Sequence, residues 1–158
     1  MRKSILAALA VVALGVFPLV AHSSSPGYQL AASRCSVSWA PNYAGNIACS
    51  DMQATINGTP YYVSVSVHLL SDDKTFYSGL SSVTLQNLVT NEVDSYPLSG
   101  SLDNIQLGSK GGLGYADLDG TFSSGSVALH ITQYYPKPCV RYCYVAYDVQ
   151  ANSMLTVQ

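Results

Sequence analysis

Residues 52–68 read MQATINGTPYYVSVSVH and give the strongest local structural signal in the chain. Asn-Gly is the dipeptide that a two-residue type I′ turn favours, because both central residues of that turn need positive φ. When the runs on either side of Asn57-Gly58 are paired across the turn, apolar side chains collect on one face and polar side chains on the other. The sequence therefore predicts a long antiparallel hairpin. The expected apolar-face pairs are Ile56 with Thr59, Ala54 with Tyr61, Met52 with Val63, and Ala48 with Val67.

A second alternating run ends the chain. From residue 143 to residue 157 the odd positions are mostly apolar and the even positions mostly polar, which is typical of a strand with one buried face. Residues 127–131 alternate in the same way, and a fold about Arg141 brings the two runs together. The expected pairs are Val127 with Leu155, Ile131 with Ala151, and Cys139 with Cys143.

Four cysteines, an even number, predict two disulfides in an exported chain. Cys35 and Cys49 meet in a hairpin about Asn42, and Cys139 and Cys143 close the second hairpin. Crossed pairings, which would tie the first hairpin to the last, stay open. Cys49 falls on the polar face of the hairpin at Asn57-Gly58. We therefore expect either a strand covered on both faces or a bulge that changes the parity.

Further short strands are expected near residues 83–89, 93–98, 101–107 and 115–122, and helix-forming residues are scarce. Eight or nine short strands at this spacing predict an all-β fold. We expect an antiparallel β-sandwich, immunoglobulin-like or jelly-roll-like, with a small β-barrel as the alternative.

The first residues have the layout of a secretory signal peptide. Arg2 and Lys3 precede an apolar run over residues 5–17, and small residues follow Pro18. The run is too short to span a bilayer, which takes roughly 20 apolar residues. We expect cleavage near Ala21 to Ser23 and no membrane insertion afterwards. The predicted organisation is a signal peptide at 1–23, a flexible N-terminus at 24–33 and one all-β domain at 34–158, in a secreted or periplasmic protein.

The charge of the chain argues against nucleic-acid partners. Residues 24–158 hold five basic and nine acidic side chains, a formal charge of −4, whereas nucleic-acid binders present a basic face. Metal and cofactor motifs are weak. His68 and His130 are expected on solvent-facing sides of their strands, and residues 117–120 resemble a calcium loop without its closing Glu. We therefore expect no metal and no cofactor.

A serine hydrolase is the enzyme class for which the sequence offers candidate residues. Asp51, Ser64, Ser66 and His68 share one predicted sheet face. However, Asp51 is expected opposite Ser64 and not beside His68, and the Gly-x-Ser-x-Gly elbow is missing. The sequence therefore favours a function without catalysis.

Twelve tyrosines are the most suggestive feature for binding. By strand parity Tyr134, Tyr142 and Tyr144 point outwards near the C-terminal hairpin, and tyrosine offers amphipathic contact area to proteins and glycans. We therefore expect a secreted or periplasmic binding module for a protein or a glycan. The alternatives are a structural or adhesin-like subunit that assembles through sheet edges and a small secreted hydrolase. The oligomeric state stays open.

Overall fold

A computed structural model describes residues 25–30, 33–39, 45–70, 74–108, 112–134 and 146–158. The predicted all-β class is confirmed: within these residues the chain forms eleven strands and no helix. The described chain accordingly offers no helix of the length and apolarity that crossing a membrane requires. The predicted signal peptide, Cys139 and Cys143 fall outside these residues. The strands are β1 (Gly27–Gln29), β2 (Arg34–Ser38), β3 (Gly45–Ile56), β4 (Thr59–Leu69), β5 (Ser82–Asn87), β6 (Val93–Pro97), β7 (Ser99–Leu107), β8 (Leu113–Phe122), β9 (Gly125–Tyr134), β10 (Ala146–Val149) and β11 (Met154–Val157).

All eleven strands belong to one antiparallel sheet that curls into a half-barrel. Its order is β1-β11-β9-β10-β2-β3-β4-β5-β6, and β7 joins through β8 to the other edge of β9. The long β9 is therefore shared: β8 covers one edge, while β11 and β10 divide the other. The predicted two-layered sandwich is not confirmed, because the described strands form one continuous sheet.

The hairpin at Asn57-Gly58 is confirmed next to its turn, where Ile56 pairs with Thr59 and the ladder continues to Met52 and Val63. The expected pair of Ala48 with Val67 is wrong, since Ala48 lies opposite Ser66.

The reason for this shift is a β-bulge between Cys49 and Met52, in which Asp51 adopts a φ of 57°. The extra residue switches the parity of the strand, so Cys49 faces the buried side opposite Val65. Of the two explanations that the sequence left open for Cys49, the bulge is the one observed.

The predicted hairpin of Cys35 and Cys49 is confirmed. The two cysteines are directly opposite each other on β2 and β3 and form a disulfide, and Val37 lies opposite Ile47. A disulfide is typical of proteins in oxidising compartments.

The C-terminal pairing is only partly as expected. Val127 lies opposite Leu155, as predicted, but Ile131 lies opposite Val149 instead of Ala151. A turn at residues 151–152 adds two residues to this side of the ladder and divides the expected single strand into β10 and β11.

Smaller differences concern strand ends. β5 ends at Asn87, so Val89 lies in the following turn and is 69% exposed instead of alternating within a strand. Within the segment that we expected to be flexible, β1 pairs with β11 from Gly27 to Gln29.

The core consists of alternating apolar side chains on the inner face of the curled sheet. Residues 74–76 join the end of β4 to the outer edge of β7 through two isolated bridges, Leu69 with Phe76 and Thr75 with Ser101. The largest fully buried side chains come from most of the sheet and include Ile47, Met52, Leu118, Leu129, Ile131 and Leu155.

Candidate functional site

A concavity lies where β1 faces the second half of β3. It has a volume of about 670 Å³ and is lined by residues 27–30 of β1 and its end, residues 53–55 of β3, residues 60–61 of β4, Leu88 and Ala151. We call it the β1–β3 cleft. Its volume falls in the range of roughly 300–1,000 Å³ that is typical of ligand sites.

The β3 wall of the cleft is a strand edge that has no ladder partner within the described ranges. The ladder between β2 and β3 reaches Cys49 and stops at the bulge, so residues 52–56 pair with β4 on one side only. Ile56 and Thr59 flank the two-residue turn and form a hydrogen-bonded pair, and such pairs alternate along an antiparallel ladder. Gln53 and Thr55 therefore direct their N–H and C=O groups away from β4, towards the cleft.

Pro60 supports this reading of the hydrogen-bond pattern. It lies opposite Thr55, and its carbonyl accepts a hydrogen bond from the Leu88 N–H at 3.0 Å, on the side away from β3. The pair of Thr55 and Pro60 is therefore not hydrogen-bonded, which suits a residue without an N–H group.

The opposite wall is the second edge of β1. Leu30 donates its N–H to the Ser153 carbonyl at 2.9 Å, so Leu30 and Tyr28 point their backbone groups towards β11. Gly27 and Gln29 consequently point theirs away from β11. Two strand edges thus border the same cleft, and no ladder joins them among the described residues.

Side chains tie the cleft together at its rim. The Tyr28 hydroxyl donates to Asn57 Oδ1 at 2.7 Å, which links β1 to the turn between β3 and β4. Gln29 Nε2 donates to the Ala151 carbonyl. The Tyr61 hydroxyl accepts a hydrogen bond from Asn87 Nδ2 at 3.3 Å. The polar ends of three lining side chains therefore already have partners.

The lining has no formal charge. None of the described residues around the cleft is Asp, Glu, His, Lys or Arg, and the apolar surface comes from Leu30, Ala54, Pro60, Leu88 and the two tyrosine rings. The cleft is therefore suited to an uncharged ligand, because a charged group would lose its hydration there without gaining a partner.

A polar cluster separate from the cleft lies on the outer face of β8 and β9. Asp117 Oδ1 is 2.6 Å from His130 Nδ1 and accepts a hydrogen bond from the Tyr115 hydroxyl at 2.5 Å. Asn104 Nδ2 donates to Asp117 Oδ2 at 2.5 Å. Asn104 has a φ of 48° within a bulged part of β7, so the bulge aims its amide at the carboxylate.

This cluster shifts the pKa values of Asp117 and Tyr115. Partial burial acts to raise the pKa of Asp117, but hydrogen bonds from Asn104, Tyr115 and His130, together with the charge of His130, lower that pKa below its ordinary value. The pKa of Tyr115 is raised, first by its hydrogen bond to Asp117 and then by burial and the carboxylate charge.

The outer cluster contains an Asp–His pair, but among the described residues no serine or cysteine side chain is hydrogen-bonded to the histidine ring. The recorded partners of the His130 ring among the described residues are Asp117 and Tyr115, and Ser153 contacts only the backbone N–H of His130. An acyl-transfer triad needs a nucleophile on the histidine. The geometry is therefore that of a network that holds β7, β8 and β9 together.

The other catalytic candidates from the sequence do not converge. Asp51 donates its backbone N–H to Ser64 Oγ at 3.4 Å, whereas His68 lies opposite Asn46, four residues further along β4 and about 13 Å away. His68 and His130 are on β4 and β9, which do not pair. In the described part of the chain no three metal-ligating side chains cluster.

The predicted binding tyrosines are described in part. Tyr134 is half-buried at the end of β9, opposite Ala146, while Tyr142 and Tyr144 lie outside the described residues. Tyr134 is at the far end of β9 from the residues that pair with β11. Tyr134 thus does not line the β1–β3 cleft, and the role of the three tyrosines in binding stays a prediction.

The cleft was not predictable from the sequence, because its walls come from distant parts of the chain. Only Pro60 offered a local sign, since a proline in the second strand of a hairpin marks a pair without ladder hydrogen bonds. That position points to Thr55 as a residue with an outward N–H.

Comparison with known proteins adds no relative: no family model, curated protein or solved structure matches the chain.

Proposed function

We propose that this protein is a non-enzymatic binding module that recognises a protein or a glycan, and that the β1–β3 cleft is its binding site. The observation that supports this proposal most is the lining of the cleft. In the part of the chain that the structure describes, it combines two strand edges that lack a ladder partner on the cleft side with an uncharged polar and aromatic surface.

Binding is favoured over catalysis by the same lining. General acid–base chemistry requires a side chain that titrates near the operating pH and lies within hydrogen-bond reach of the reacting group. The described lining residues include no carboxylate, imidazole or amine. The hydrolase alternative therefore gains no support from the described residues of the β1–β3 cleft.

We propose a secreted or periplasmic location, which the signal-like N-terminus suggests. The Cys35–Cys49 disulfide supports it, because such bonds persist in oxidising compartments. A stapled sheet also suits a binding module, since a rigid scaffold loses little conformational entropy when it binds.

The structural-subunit alternative is weakened at one point. This alternative needs free sheet edges, but β11 pairs with β9 on one edge and with β1 on the other. Its edges are thus largely occupied within the protein. Assembly through β6, the terminal strand of the order above, stays an alternative.

The test blocks the cleft with a large side chain. Ala151 is exposed and lines the cleft, so Ala151→Trp places an indole at its mouth while keeping the backbone carbonyl that Gln29 uses. The probes are a glycan array and a phage-displayed library of eight-residue peptides. We expect Ala151→Trp to weaken any ligand that these probes identify at least about tenfold, a free-energy difference of roughly 1.4 kcal/mol.

Asn152→Trp is the matched control, because Asn152 is the next residue of the same turn, is exposed and does not line the cleft. It should change the affinity less than about twofold, roughly 0.4 kcal/mol. Equal affinities of both variants and the wild type would place binding elsewhere, with the surface of Tyr134, Tyr142 and Tyr144 as the next candidate. Absence of binding to both probe classes would contradict the proposed function.

A further inference from the structure

We propose that the β1–β3 cleft binds an uncharged polypeptide segment in extended conformation, which adds as a strand to the free edge of β3 at Gln53 and Thr55. This inference rests on the proposed function and names the class of ligand. A glycan in the same cleft is the competing outcome.

The backbone groups along the β3 edge of the cleft favour the addition of a strand. Gln53 and Thr55 are both exposed, and each directs one N–H and one C=O group into the cleft without a partner among the described residues. They are two residues apart, about 6.6 Å along the strand, which is the repeat at which an added strand offers its own groups. Peptides bind to exposed sheet edges in this way, with affinity from main-chain hydrogen bonds.

Three polar side chains of the cleft lining already form hydrogen bonds within the protein, which reduces what they offer to a glycan. Glycan recognition depends on hydrogen bonds from side-chain hydroxyls and amides around an aromatic platform. Here the Tyr28 hydroxyl donates to Asn57, the Gln29 amide donates to Ala151, and the Tyr61 hydroxyl accepts from Asn87. The Gln53 amide and the Thr55 hydroxyl also line the cleft without a recorded partner among the described residues, but the two N–H and two C=O groups of the β3 edge form the regularly spaced set that an extended peptide matches.

The charge and shape of the cleft lining favour a peptide with uncharged side chains. The described lining is uncharged, and its apolar part comes from Leu30, Pro60 and Leu88 with the tyrosine rings. Alternate side chains of an added strand point to opposite faces, so every second side chain of the peptide would meet this surface. A segment with apolar or small uncharged side chains at these positions matches the cleft, whereas Asp, Glu, Lys or Arg would be desolvated without a partner.

The decisive variant is Thr55→Pro. The N–H of Thr55 makes no ladder hydrogen bond, because Thr55 and Pro60 form a pair without such bonds. Proline at this position therefore removes the N–H that faces the cleft and leaves the pairing with β4 intact, as on other strand edges. Thr55→Val is the matched control, since it keeps the N–H and removes only the hydroxyl group.

The probe is the tightest peptide selected on the full chain from the eight-residue library, made synthetically. We expect Thr55→Pro to weaken its binding at least tenfold and Thr55→Val to weaken it less than twofold. In the wild type, peptide binding should also slow hydrogen exchange of the Gln53 and Thr55 amides. If Thr55→Pro and Thr55→Val bind equally and neither amide is protected, the inference is wrong.

A second series covers the case in which Thr55→Pro unfolds the protein. Peptides methylated at one backbone nitrogen at a time should lose affinity with a period of two residues, because alternate N–H groups face β3. A uniform response along the peptide would contradict strand addition. Binding of array glycans that Ala151→Trp abolishes, without any peptide binding, would overturn this inference and leave the proposed function standing.

Discussion

Asn57 and Gly58, with φ angles of 50° and 82°, turn the chain between the two longest strands. Asparagine tolerates the left-handed region better than most residues, and glycine enters it without steric cost. A Cβ built on Gly58 meets no atom within 4 Å, so an alanine there suffers only from its backbone conformation. Gly58→Ala should therefore lower the free energy of unfolding by about 1 kcal/mol in urea denaturation.

Gly79→Ala is the control for this prediction. Gly79 also lies in an exposed turn, but its φ is not in the left-handed region, and an added Cβ would make an ordinary 3.5 Å contact with the Tyr77 ring. Gly79→Ala should change the free energy of unfolding by no more than about 0.5 kcal/mol, as for most surface substitutions. Equal losses for the two variants would refute the conformational explanation.

The same backbone conformation was predictable at Asn57 and Gly58 but not at Asp51. Asn-Gly between two alternating runs specifies a turn by itself, whereas an aspartate in the left-handed region has no distinct sequence signal. The only sign of the bulge was the mismatch between the faces of Cys49 and the hairpin. That sign left two explanations open, and local alternation could not decide whether Cys49 or its neighbour lies opposite Val65.

At the level of elements, the disulfide fastens β2 to the half of β3 that precedes the bulge. Its closed loop spans a sequence separation of 14 residues. In the chain-entropy model a loop of this size contributes about 3 kcal/mol, because the bond restricts the unfolded chain. Replacing both cysteines with alanine should lower the free energy of unfolding by at least that amount.

Alanine is the suitable replacement because Cys35 and Cys49 are both buried, and a serine hydroxyl would need a partner there. The measurement is urea denaturation of the double variant beside the wild type under non-reducing conditions. A loss below about 1 kcal/mol would contradict the loop-closure account, given a typical range of roughly 2–4 kcal/mol.

Elements with long alternation were predictable and short ones were not. The β3–β4 hairpin and the pairing of Val127 with Leu155 followed from the period of two. β1 has only three residues, too few for a period to be recognised. The turn between β10 and β11 has neither glycine nor proline at residues 151–152, so an alternation count continues through it.

At the level of the whole molecule, strand order depends on contacts between distant residues. β10 separates β2 from β9, and β11 separates β1 from β9, so the N-terminal strands are held by the C-terminal ones. Local patterns carry no information on such pairings, and the choice between sandwich and curled sheet could not be made from them. The cleft follows from this order, because the pairing of β1 with β11 places β1 opposite the part of β3 that, among the described strands, pairs with β4 alone.

The last prediction concerns pH and the outer network, which joins three strands of the sheet through Asn104, Asp117 and His130. The folded-state pKa of Asp117 is lowered below its ordinary value of 3.8. A carboxyl group with a depressed pKa contributes stability that is fully present above the unfolded pKa and is lost as the pH falls through the folded pKa. The loss therefore begins near pH 4 and grows towards lower pH.

Asp117→Asn removes this titration and keeps the size of the side chain. At pH 7 it should lower the free energy of unfolding by about 1–3 kcal/mol, because hydrogen bonds to a charged, partly buried carboxylate are lost. Asp117 and His130 are 13% and 26% exposed, so solvent screens the network only in part. Between pH 4 and pH 2 the difference between wild type and variant should shrink, since the wild-type carboxylate then takes up a proton.

Asp119→Asn is the control, because Asp119 lies two residues further along β8 and is exposed. The stability of this variant should follow the wild-type pH profile. A constant difference between Asp117→Asn and the wild type from pH 7 to pH 2 would show that the charge of Asp117 does not stabilise the sheet.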